Sequence, residues 1–256
     1  AVMTVLPRPN QAYWTLSALW AGWLWGKQAV GPFRSVLRRR RYDWSWHTAG
    51  LTAAFSGLSK ALPASTPVFA IACEAEAGLI TAALGAGQAA GFFLTGLALR
   101  REPALAQIEW HNELVEAPNT TAAQQITALQ AASEEAKQCL LALGQPADYL
   151  IVHTAALVGL LHTGFFLPSS AQDSEVDKST ESTPAQSANL AVNVIRQALT
   201  FRGGFLRFNA GESPEVGQWW LSTGQGAAQP LHDRIEKTLV RLLIQNPACT
   251  LYEIEA

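Results

Sequence analysis

A chain of 256 residues and 27.5 kDa is long enough to bury a sizeable core, as one large domain or two small ones. Its net charge of −2 and pI near 6.2 exclude a global basic field, so contact with nucleic acid or a membrane surface must come from a local patch. Three cysteines, Cys73, Cys139 and Cys249, stand far apart with no CxxC or Cys/His spacing; this argues against a disulfide framework or a zinc site and suits a reducing cytoplasm.

Thr4, Val5 and Leu6 read as the tail of a strand, ended by Pro7 and Pro9, which fix their own φ and push the preceding residues into extended geometry. The same prolines interrupt any apolar run of a signal peptide, so none is expected. From Thr15 onward Leu16, Leu19, Trp20, Trp23 and Leu24 recur at helical spacing, which predicts an aromatic helix; Trp at such spacing also suits a plain core helix. Arg34 and then Arg38, Arg39, Arg40 and Arg41 crowd together, followed by Tyr42, Trp44, Trp46 and His47. Such a run can be a solvated helix end, or a phosphate contact with stacking surfaces beside it. Leu51, Ala54, Phe55, Leu58 and Leu62 predict an amphipathic helix ended by Pro63.

Residues 67–73 form a continuous apolar run, as in a strand buried on both faces. Glu74 and Glu76 follow at its carboxyl end, where open parallel sheets bind ligands; first-turn acids of the next helix are the plainer alternative. Residues 78–99 carry no charge over about the length of a membrane helix, but Gly91 divides them into a helix over 77–90 and a strand over 92–99. Strand, helix, strand with short connections is the βαβ rhythm of a doubly wound α/β sheet.

A further strand is expected over 108–115, a long polar helix over 122–143 and a compact apolar helix over 148–166. The last carries His153 and His162, nine apart and so unable to share a ligand. Residues 168–189 are polar throughout and predict a disordered linker or surface insertion. Beyond them a helix over 190–201, a short strand over 218–221 and an amphipathic helix over 230–244 follow. The chain opens in mid-strand and stops within a helix beginning near Thr250, so a fragment of a longer protein is expected.

The order strand, proline-rich loop, Trp-rich helix, basic segment, helix, buried strand 68–73, helix, Gly91-Phe92, strand resembles the second half of the catalytic domain of SAM-dependent DNA amino-methyltransferases, most closely the large bacterial DNA methylases. In that family an Asp/Asn/Ser-Pro-Pro-aromatic loop holds the exocyclic amine of a flipped base while the aromatic stacks on it. Val5-Leu6-Pro7-Arg8 occupies the corresponding place. Val5 cannot accept a hydrogen bond and Arg8 offers a guanidinium where a ring is expected, though it can stack on a base.

The resemblance, over about residues 1–105, implies a degenerate catalytic motif of Pro7, Arg8, Asn10, Tyr13 and Trp14, and a nucleic-acid contact at Arg38 to Arg41, Tyr42, Trp44 and Trp46. It implies S-adenosylmethionine in a full-length parent. None is expected on this chain alone, because Gly85-Ala86-Gly87 falls within a helix and Gly203-Gly204 follows a helix rather than a strand. The implied fold is a partial, Rossmann-like methyltransferase-type sheet over 1–110, a helical extension over 111–167, a linker over 168–189 and a helical, winged-type appendage over 190–256. Its implied partners are DNA and a missing N-terminal half, with no membrane and no metal. A non-enzymatic interaction module using the Trp-rich helix is the alternative, and a membrane-associated protein using 78–99 a third.

Overall fold

The computed structural model describes residues 1–8, 11–31, 43–100, 104–112, 123–168, 183–200, 204–222 and 231–250. It divides into two compact units, the first comprising residues 1–128 and 160–194, the second 129–159 and 195–256.

The first unit is built on a four-stranded sheet of β1 (Val2–Val5), β2 (Pro67–Cys73), β3 (Phe92–Arg100) and β4 (Leu105–Asn112), in the order β1-β2-β4-β3. β1 runs parallel to β2, and β4 pairs antiparallel with both β2 and β3. β2 and β3 are therefore parallel to one another and joined by α3 (Ala77–Ala89), as the βαβ rhythm predicts. The chain is α/β, but the sheet is mixed: β4 turns back from β3 and inserts between the two parallel strands.

Two further helices of this unit precede β2. α1 spans Gln11–Trp25, with a short 3-10 turn at Lys27–Val30 behind it, and α2 spans Trp44–Ala61. α2 is longer at its start than the apolar spacing predicts, because Asp43 caps it: the Asp43 carboxylate accepts from the Trp46 amide at 3.0 Å. Its other end is closed from β4. Buried Asn112 donates to the carbonyls of Ser59 and Leu62, both at 3.0 Å, and accepts from the Ser59 hydroxyl at 2.9 Å.

Burial alternates along the sheet. Val68, Ala70, Ala72, Ala106, Ile108 and Trp110 are in the core, whereas Phe69 and Cys73 are exposed, so β2 is covered on one face and not on both as its apolar run predicts. Phe55 of α2, Phe92 and Trp110 form an aromatic cluster with centroids 5.5 to 6.5 Å apart. α3 is buried continuously from Leu79 to Gly87, and Gly85 and Gly87 let the rings of Phe166 and Trp110 reach its backbone.

The second unit holds a three-stranded antiparallel sheet, β5 (Ala147–Asp148), β6 (Phe205–Phe208) and β7 (Gln218–Leu221), in the order β5-β7-β6. Trp219 is buried there, its indole donating to the Pro214 carbonyl at 3.0 Å and its face covered by the Arg207 guanidinium at 5.5 Å. Helix α4 (Ala123–Leu143) and helix α5 (Tyr149–His162) approach closely in this unit, because Gly159 lies against the Ala131 carbonyl. Helix α6 spans Pro184–Thr200 and helix α7 Leu231–Gln245. α6 thus starts six residues earlier than the polar composition of 168–189 predicts; residues 169–182 of that segment lie outside those described. The helix expected from Thr250 falls almost wholly on residues 251–256, also outside them.

Candidate functional site

β1 and β2 run side by side in the same direction, so their carboxyl ends meet at one edge of the sheet. That edge is where an open α/β sheet leaves a crevice for ligands. After β1, buried Leu6 still pairs with the sheet, its amide donating to the Ile71 carbonyl at 2.8 Å, and Pro7 then turns the chain out. After β2, Glu74 takes a left-handed backbone (φ 52°), an uncommon conformation for a residue with a Cβ, before Glu76 precedes the first turn of α3.

These two turns converge. The Arg8 guanidinium donates one nitrogen to the Glu74 carboxylate and the other to the Glu76 carboxylate. Glu76 is the residue before α3 but its side chain does not cap the helix; it is committed to Arg8 instead. One cation against two carboxylates leaves the group with one net negative charge. The Glu74 side chain is 77% exposed and the Arg8 side chain 23%, so a fixed guanidinium underlies a carboxylate open to solvent. Such an arrangement accepts hydrogen bonds from an amine and repels a phosphate.

The first turn of α2 closes the site from another side. His47 is buried and hydrogen-bonded to the backbone of Pro7. Proline has no N–H, so its carbonyl accepts, and Nε2 of His47 has no hydrogen-bond partner among the described residues. Burial holds the His47 pKa below its ordinary value, the Pro7 carbonyl opposing in part. Burial thus favours the neutral form of the His47 imidazole. Trp44 meets His47 edge to face at 5.9 Å and lies on Gly78, where a Cβ would fall 2.2 Å from the indole nitrogen.

Of the residues the sequence singles out, Pro7, Arg8, Glu74, Glu76, Trp44 and His47 thus come together at one sheet edge. Trp46 also sits in the first turn of α2. Asn10 and Arg38 to Tyr42 lie outside the described residues, and Tyr13 and Trp14 are placed only as backbone of α1. What sequence reasoning missed is the anchoring of His47 on Pro7 and the Arg8 clamp, since each joins residues tens of positions apart.

Gly85 and Gly87 sit inside buried α3 against aromatic rings. Among the described residues no group of three His, Cys, Asp or Glu could hold a metal, and no helix is long and apolar enough to cross a membrane. A cavity of about 440 Å³ in the first unit lies away from this edge, beside the C-terminal end of α3 and the start of β3. The Gln88 amide on its wall is already engaged, donating to the Leu161 carbonyl at 2.6 Å and accepting from the Phe166 amide at 3.0 Å. Compared with protein-family models, with curated proteins and with solved structures, the chain matches none.

Proposed function

We propose that the first unit is the target-binding half of a methyltransferase-like domain from a DNA-modification protein, and that the carboxyl edge of β1 and β2 receives an extruded nucleobase bearing an exocyclic amine. The observation that carries this reading is the pair of carboxylates from Glu74 and Glu76 gathered on Arg8 directly after β1. In the resembling family the amine acceptor comes from the strand before the proline loop, and Val5 cannot supply it. Here the acceptors come from the end of the next parallel strand, held in place by the guanidinium that replaces the aromatic ring.

On this reading Arg8 positions the carboxylates, His47 fixes the loop that carries Arg8, and Trp44 packs on His47 and the start of α3. Phosphate contact falls to Arg38, Arg39, Arg40 and Arg41 with Tyr42 and Trp46, because the carboxylate-rich edge repels it. S-adenosylmethionine, and with it methyl transfer, belongs to a missing N-terminal half of the parent protein.

The test is binding to duplexes in which one unpaired base is adenine or cytosine, which carry an exocyclic amine facing outward, or thymine, which does not. The amine-bearing duplexes should bind about tenfold more tightly, the worth of one hydrogen bond to a charged group. The Glu74→Ala/Glu76→Ala variant should lose that preference while keeping its salt dependence. Equal affinity for all three duplexes, or a preference that survives the double variant, contradicts the proposal.

A further inference from the structure

α1 is built with its large residues outward. Leu16, Leu19, Trp20, Trp23 and Leu24 recur at i, i+3, i+4, i+7 and i+8, the spacing of a single apolar stripe. An amphipathic helix normally buries that stripe, yet these five are 51 to 77% exposed, while Ala18 and Ala21 on the opposite side are buried. Trp20 and Trp23 meet edge to face at 5.6 Å, so the stripe presents a fixed aromatic ridge. No residue of α1 is charged.

We propose that a second copy of this chain covers the α1 stripe in a two-fold symmetric dimer. This goes beyond the ligand reading and does not depend on it. A two-fold interface needs a patch complementary to itself, and an uncharged ridge of two Trp flanked by Leu meets that need without opposing like charges. A charged peptide would find nothing to pair with on this helix. The area also suffices. Taking about 250 Å² for a whole Trp and somewhat less for a Leu, the five side chains expose on the order of 600 Å². Two copies face to face then bury up to about 1,200 Å², the lower bound of a specific stable interface.

Light scattering on the eluting 256-residue chain at micromolar concentration should give twice 27.5 kDa, and Trp20→Glu/Trp23→Glu should give the single mass, with dimer affinity weakened roughly a hundredfold. Both positions are exposed, so circular dichroism of that variant should match the parent. The unmodified chain supplies an independent check, since the Tm of a dimer rises with protein concentration. A single-chain mass for the unmodified protein, a Tm independent of concentration, or a dimer indifferent to the double variant overturns the proposal.

Discussion

Burial lowers the pKa of two histidines, His47 and His153, and so ties stability to pH. His153 lies wholly within the second unit, its Nδ1 3.1 Å from the Tyr149 hydroxyl, and burial pushes its pKa down to about 4. In the unfolded chain it takes up a proton near pH 6.5, so as pH falls below that value the unfolded state binds more protons and stability is lost, until the folded pKa is passed. His47 is shifted in the same direction, by burial first. Between pH 7 and pH 4 His153 should account for about 3 kcal/mol of lost stability. Urea titrations of the parent and of His153→Leu across that range test this: their stability difference should change steadily in favour of the variant as pH falls, and a constant difference refutes it. Neither histidine is recognisable from spacing. His153 stands in an apolar helix where its burial could be expected, whereas the partner of His47 is Pro7, forty residues earlier, and no local pattern joins them.

Among the elements, β2, α3, β3 and β7 were legible because their signals are local. Gly91, at φ 88°, separates a buried helix from an aromatic strand, and residues 67–73 fill the strand their apolar run defines. The position of β4 was not legible, since inserting a strand between two others is a non-local pairing that its own residues do not encode. The start of α6 had a signal that composition masked. Thr183 and Gln186 form a reciprocal cap, with the Thr183 amide donating to the Gln186 side chain at 2.8 Å, and Pro184 takes the first helical position. A comparable device closes α2, whose last carbonyls are met by Asn112 of β4. Replacing Asn112 with Ala should cost about 1–3 kcal/mol, because it strands buried carbonyls of α2 together with the Ser59 hydroxyl. Chemical denaturation measures this, and a change under about 0.5 kcal/mol, the range of ordinary surface substitutions, would show that water replaces the side chain.

For the molecule as a whole, the proposed function rests on one edge of the first unit. Loop residues Pro7 and Arg8 stand beside Glu74 and Glu76, which the sequence offers as ligand contacts or as first-turn acids of the next helix. Their joining was not legible, because it requires β1 and β2 to be parallel neighbours with their carboxyl ends aligned. The most direct test of this account is a map of backbone amide shifts as a duplex with an unpaired adenine or cytosine is added to the full chain. The account predicts that the perturbed amides cluster at Arg8, Glu74, Ala75 and Glu76 and in the first turn of α2. Shifts confined to the cavity at the end of α3, or to the second unit, would contradict it.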